Sequence, residues 1–131
     1  MAKYIYPAVF VTEKEGGYSV YFPDVEGCFT CGDSLEDALV MAKDALSLML
    51  VDIEDEKKSI PEVSDIRKLK LKKNEFATLI SADTMVYRQT LNNAAVKKTL
   101  SIPAWLNRAA IASGINFSQV LQDALRAQLN M

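Results

Sequence analysis

Near the C-terminal end of this 131-residue chain, Lys97, Thr99 and Ser101 stand two apart in the run Val96-Lys-Lys-Thr-Leu-Ser-Ile-Pro103. In an extended segment that spacing puts all three on one face, with Leu100 and Ile102 on the other. A lysine ammonium can donate to guanine O6 and N7, and a serine or threonine hydroxyl suits either base type. The chemistry on offer is readout of base edges in DNA. Catalytic candidates are weaker. Cys28-Phe-Thr-Cys31 contains both cysteines of the chain and there is no histidine, which makes a poor zinc site. A thiol–disulfide centre wants its first cysteine at a helix start, whereas this pair reads as strand, its side chains on opposite faces. Two-metal ribonuclease chemistry needs converging carboxylates, and only Asp24, Asp33, Glu36 and Asp37 lie near the first strands and helix. Glu36 and Asp37 suit a helix start, where the dipole favours negative charge, and Asp24 suits a turn. Without histidine the commonest general base is also missing. No catalytic residue, metal or cofactor is expected.

The base-reading face needs elements to hold it. Pro103 stops the predicted strand and suits the first position of a helix running to Ser113, where its missing N–H costs nothing. Gly114 follows as a left-handed helix terminator. Asn116 is the N-cap of a second helix, with Gln119 as capping-box partner and Ile115 with Val120 as hydrophobic staple. Val120, Leu121, Ala124, Leu125 and Leu129 then keep the 3.6-residue period. A lone strand has no ladder partner, but a second copy of the chain supplies one. Strand, helix and helix together predict a two-fold ribbon–helix–helix dimer whose paired strands enter the major groove. Leu100, Ile102, Trp105, Leu106, Val120, Leu121 and Leu125 would form its shared core. The amides of Phe117 and Ser118, behind Asn116, would hold a backbone phosphate, with Lys98 and Arg108 as further phosphate contacts. A helical hairpin serving only dimerisation and a helix–turn–helix around Gly114 are the competing readings.

Charge divides the chain. Residues 1–83 carry 10 Lys and Arg against 16 Asp and Glu, while residues 84–131 carry 5 against 1. A basic tail suits phosphates and an acidic front suits a basic protein. The front reads as a strand at 3–12, a turn through Gly17, strands at 18–22 and 28–32, and a helix from Ser34 to Val51. That helix opens on two overlapping capping boxes, Asp33 with Glu36 and Ser34 with Asp37. Leu35, Ala38, Leu39, Ala42, Leu46 and Met49 make its core stripe. Val40, Met41, Leu48 and Val51 lie off it, and the second strip of Val40, Met41 and Leu48 could pair dimers into a tetramer. Residues 52–75 read as a charged connector, 14 of 24 being charged. A strand at 76–81, a short helix at 83–91 capped by Asp83, and a hinge at 92–95 complete the chain. The expected division is 1–83, 84–95 and 96–131. No apolar run reaches the length of a membrane span, and the N-terminus lacks a signal peptide's apolar segment. A cytoplasmic protein without membrane contact is expected.

The order βββαβ, with Gly17-Tyr-Ser-Val-Tyr-Phe-Pro-Asp-Val-Glu-Gly-Cys28 followed by Gly32-Asp-Ser-Leu-Glu-Asp-Ala-Leu39, resembles the HicB-type antitoxins. The resemblance covers nearly the whole chain. It implies an α+β protein: a degenerate ribonuclease-H-like front domain joined to a DNA-binding tail, which in this chain looks like the ribbon–helix–helix variety. It further implies a protein that binds and silences a small basic HicA-type toxin, a ribonuclease that destroys messenger RNA, and that represses their shared operon. Tyr4, Tyr6 and Tyr21 are candidates for the apolar centre of a toxin interface, because aromatics bring area with a polar tip. Asp52, Glu54, Asp55 and Glu56 are candidates for its acidic rim. A scaffold or small-molecule sensor is the alternative, which leaves the alternating polar strand without a purpose.

Overall fold

The computed structural model describes residues 2–91 and 93–131. The chain falls into two compact units, Met1–Asn93 and Ala94–Met131. Asn92, placed in the expected hinge, lies outside the described residues.

The first unit is an antiparallel four-stranded sheet with strand order β3-β2-β1-β4, made by β1 (Lys3–Thr12), β2 (Tyr18–Tyr21), β3 (Phe29–Gly32) and β4 (Glu75–Asp83). Helix α1 (Leu35–Asp55) crosses one face, and α2 (Thr84–Leu91) follows β4 directly. The core lies between α1 and the sheet. Tyr6, Ala8, Phe10, Val20, Ile80 and Ala82 meet Ala38, Ala42, Leu46 and Leu50, all buried. Residues spaced by four on α1 line up along one side of a helix, and the two alanines let it approach closely. The approach is closest at Gly32, where a Cβ would stand 2.4 Å from the Ala38 nitrogen. On the opposite sheet face Pro7 and Val9 are buried as well. Pro7 turns its donorless nitrogen to the side of β2, whose ladder with β1 begins only at Val9, so no hydrogen bond is lost.

Two expectations about α1 need correction. The buried stripe is Ala38, Ala42, Leu46, Ser47, Leu50 and Val51, while Leu35 and Leu39 are exposed and Met49 is only partly buried. The helix also runs on through Asp52–Asp55, which read as connector. It ends where Lys57 takes a left-handed φ of 56°. Lys58 N then donates to Ile53 O at 3.1 Å and Lys57 N to Glu54 O at 3.1 Å. This is the Schellman pattern, usually built on glycine. At the other end Ser34 caps as expected, its hydroxyl accepting from Asp37 N at 3.1 Å, and the Asp37 carboxylate accepts from Asp33 N at 2.9 Å.

The connector is tied down at several points. The Asp24 carboxylate accepts from the Ser64 amide at 2.9 Å and from its hydroxyl, and the Tyr6 phenol donates to Pro61 O. A 3₁₀ turn at Ile66–Lys68, capped by Asp65, contacts β4.

In the second unit α3 (Ala104–Ala112) and α4 (Phe117–Gln128) are joined through Gly114 at φ 68°. Residues 93–103 form no ladder within the chain, so the strand expected at 96–102 has no hydrogen-bonded neighbour here. A ladder needs two strands, and this unit contains one candidate.

Gly32→Ala should destabilise the protein by about 2–3 kcal/mol, because backbone on the helix side leaves no room for the methyl group. A denaturant midpoint unchanged from wild type would contradict the close approach.

Candidate functional site

The second unit encloses none of the side chains expected to contact DNA. Lys97, Lys98, Thr99, Ser101 and Arg108 are exposed. Asn116 caps α4 as expected, its side-chain oxygen accepting from Gln119 N at 3.1 Å. Gln119 does not return the capping-box bond; its Nε2 donates to Asp123 at 2.9 Å. The amides of Phe117 and Ser118 remain as helix-start donors in a region of positive dipole potential. The apolar residues are equally uncovered. Trp105 is 71% exposed and Leu100 59%, Ile102, Leu106, Val120 and Leu125 are exposed too, and Leu121 is only half-buried.

In the first unit a carboxylate organises the contacts. Glu54, near the end of α1, has a side chain only 9% exposed. It accepts from the Tyr4 hydroxyl at 2.8 Å, the Thr84 hydroxyl at 3.0 Å and an Arg88 terminal nitrogen at 3.0 Å. Arg88 also pairs with Asp55 at 2.8 Å. Burial by itself would raise the Glu54 carboxyl. Hydrogen bonds, those from Arg88, Tyr4 and Thr84 among them, outweigh it and hold the group down at about 2. Burial, then the Glu54 charge, pushes the Tyr4 phenol up to about 12.

These contacts revise the expected toxin surface. Tyr6 is fully buried in the core, and Tyr4 is half-buried with its hydroxyl held by Glu54. Of the three tyrosines only Tyr21 is exposed, at 39%. The acidic rim is similarly committed: Glu54 lies inside, Asp55 pairs with Arg88, and Glu56 pairs with Lys58 at 2.6 Å. Asp52 remains at the surface. Sequence reasoning passed over Phe29, which is 73% exposed. Its signal was the parity of the hairpin: Phe29 faces Tyr21, which faces Val9, all on the side away from α1.

The cysteines do not act together. Cys28 is buried, which pushes its thiol up to about 11, and Cys31 is exposed. A thiol so raised is protonated at neutral pH and a poor nucleophile. Asp24 is occupied by Ser64, and among the described residues no three His, Cys, Asp or Glu side chains gather as metal ligands do. Nor is any described helix long and apolar enough to cross a membrane.

This two-unit architecture can be set against known proteins. The family described as the HicB-like antitoxin of bacterial toxin–antitoxin systems matches residues 6–122. The chain belongs to that family. Antitoxins of this family neutralise and regulate; they are not enzymes. The antitoxin HicB 2 of Photorhabdus laumondii is 27% identical over 124 residues, covering 93% of this chain and 88% of its own. A 14.9 kDa protein of uncharacterised role from Haemophilus phage HP1 is 29% identical over 102 residues, 78% of this chain and 75% of the phage protein. Among solved structures, a chain of a toxin–antitoxin complex from Streptococcus pneumoniae superposes with a TM-score of 0.63 at 29% identity, covering 96% of this chain and 99% of that one. This HicB-like antitoxin is thus an α+β protein of antiparallel sheet and helices, like solved antitoxins of the family.

Glu54 generates a pH dependence. A carboxylate held below its ordinary value contributes stability that is fully present above about pH 4.5 and lost as pH falls toward 2. Glu54→Gln should therefore be less stable than wild type at pH 7, by on the order of 3 kcal/mol at most. The gap should narrow as pH falls below 4.5 and close only near pH 2. Denaturant unfolding of both proteins across that range measures it, and a gap independent of pH would show that the charge is not what stabilises.

Proposed function

We propose that this HicB-like antitoxin silences a cognate HicA-type toxin with its first unit and represses the operon encoding both by binding operator DNA, as a dimer, with its second. The observation that carries the DNA-binding half is the absence of any buried residue among the described residues 94–131. Two short helices cannot hold a fold while Leu100, Ile102, Trp105, Leu106, Val120 and Leu125 are exposed to water and Leu121 is only half-buried. A second chain resolves this. Strands 96–102 from two chains give each other a ladder, the apolar face of each turns into a common core, and Lys97, Thr99 and Ser101 project together from the opposite face. That is the ribbon–helix–helix reading. Phe117 and Ser118 amides, Lys98 and Arg108 then fix the register on the phosphates.

The toxin half is supported by the solved relative from Streptococcus pneumoniae, which is itself a toxin–antitoxin complex, and by the acidic excess of residues 1–83. The front unit then reads as a degenerate ribonuclease-H-like sheet kept for binding. Both partners place the protein in the cytoplasm. A small-molecule sensor is the second reading, favoured by an apolar groove of about 380 Å³ between α1 and α2 that Val40, Ser47, Val86 and Tyr87 help to line. The toxin reading is preferred because it alone uses the opposite charges of the two units.

The test combines assembly with DNA binding. Leu100→Glu would bury an unpaired charge in the shared core at a cost of several kcal/mol. It should turn a dimer into monomers in sedimentation and abolish the mobility shift of the upstream DNA in the same step. A wild-type protein that sediments as a monomer at micromolar concentration would sink the dimer reading.

The groove contacts have their own signature. Thr99→Ala or Ser101→Ala should leave the dimer intact and lose about 1–3 kcal/mol of discrimination for each contact removed. Lys98→Ala should weaken specific and non-specific DNA alike and flatten the salt dependence. If alanine at 97, 99 and 101 together leaves operator preference untouched, the ribbon does not read DNA.

A further inference from the structure

We propose that the open edge of β3 is where a basic partner protein adds a strand to this sheet. The proposal rests on the toxin reading and assigns it a surface. β3 ends the strand order, and its outward hydrogen-bonding groups can be identified. Glu13 N donates to Gly17 O at 3.2 Å and Phe22 N to Cys28 O at 3.1 Å. In an antiparallel ladder hydrogen-bonded pairs alternate with non-bonded ones. These two bonds make 11↔19 and 9↔21 the bonded pairs of β1 with β2, and 20↔30 and 18↔32 those of β2 with β3. The backbone N–H and C=O of Phe29 and Cys31 therefore point away from the sheet, at an edge that no described strand covers.

The side chains along this edge specify the occupant. Phe29 and Tyr21 are cross-strand neighbours and form an exposed aromatic pair on the face away from α1. Carboxylates surround them. Glu13 accepts from the Ser19 hydroxyl at 2.7 Å, in register beside Cys31, and the Glu75 charge, after burial, helps to raise the Tyr21 phenol. Glu26 and Asp33 flank the strand in sequence, and no Lys or Arg occurs between Lys14 and Lys43. A second copy of this chain would bring the same carboxylates against these, which like-charge repulsion opposes. A basic strand with an apolar residue for Phe29 meets neither obstacle. The other edge strand, β4, carries Glu75 and Asp83 but directly follows Arg67, Lys68, Lys70, Lys72 and Lys73, which makes it the less favourable edge for a cationic strand. Main-chain bonds to the edge would give affinity, and the aromatic pair and acidic surround would give choice of partner.

The experiment uses the full chain and the small basic protein encoded in the adjacent reading frame. Phe29→Lys reverses the charge preference at an exposed site, and Cys31→Pro deletes an edge N–H where proline is tolerated. Each should weaken binding about tenfold or more, while Leu91→Lys, exposed at the end of α2, should bind as wild type. Iodoacetamide gives an independent readout. Cys31 should alkylate freely in the isolated protein and several-fold more slowly in the complex, with buried Cys28 unreactive in both. If Cys31→Pro fails to fold, Phe29→Lys and the alkylation rates decide. Wild-type affinity in the folded variants with unchanged alkylation would overturn the edge assignment and leave the toxin reading standing. No binding by wild type would overturn the toxin reading itself. Cys31 protection that grows with the concentration of this chain alone would assign the edge to a second copy instead.

Discussion

A single carboxylate closes the first unit. Glu54 receives β1 through Tyr4, the β4–α2 junction through Thr84 and α2 through Arg88. The ladder already joins β1 to β4 and Arg88 also pairs with Asp55, so what Glu54 adds is a single point at which α1 meets all three. Burying an ion pair is costly unless good geometry and further hydrogen bonds offset the desolvation, and here the carboxylate has both. Arg88 is less completely served: its Nε is buried with no hydrogen-bond partner among the described residues. The cluster is therefore better understood as a device that fixes which elements meet than as a large source of net stability. It also explains why α1 continues past Val51. The last helical turn carries Glu54 to its partners, and Ile53 packs against the core from the same turn.

The two units answer the problem of burial in opposite ways. The first hides Tyr6, Phe10, Leu46 and Leu50 completely and covers its central strand on both faces, so it is self-sufficient. The second hides nothing, although its helices are locally well specified by Asn116 at the start of α4 and Gly114 between them. Local signals of this kind decide where a helix begins and ends; they do not supply the burial that keeps it folded. A unit of about this size is too small to enclose a sufficient core alone, and a partner chain is the inexpensive remedy.

That contrast also governs what could be read from the sequence. The glycine end of α3 and the start of α4 were legible because each depends on neighbours in the chain: a glycine at positive φ, an asparagine three residues before an amide. The end of α1 was not, because the left-handed residue there is Lys57 rather than glycine. The fate of the tyrosines was hidden for a different reason. β1 is buried continuously from Tyr6 to Phe10, so the alternation that marks an inside and an outside face is missing, and position alone could not separate Tyr6 from Tyr21. Glu54 looked like a surface charge because its cation, Arg88, lies 34 residues away. Long-range pairing of that sort leaves no periodic trace.

On the proposed function, charge placement divides the labour between the two units. The carboxylates of the first unit would be repelled by DNA, so a phosphate backbone can be approached only with the second unit, whose net charge is positive. The same carboxylates attract a basic protein. Within the first unit five of the eleven cations fall in residues 67–73, just before β4, and the long interval without cations, 15–42, contains β2 and β3. β4 itself carries Glu75 and Asp83 but follows this basic run, whereas β3 is flanked by carboxylates alone, so the two edges are not equivalent to a partner. Two exposed edges would ordinarily invite pairing of copies without limit, and like charge along β3 opposes that.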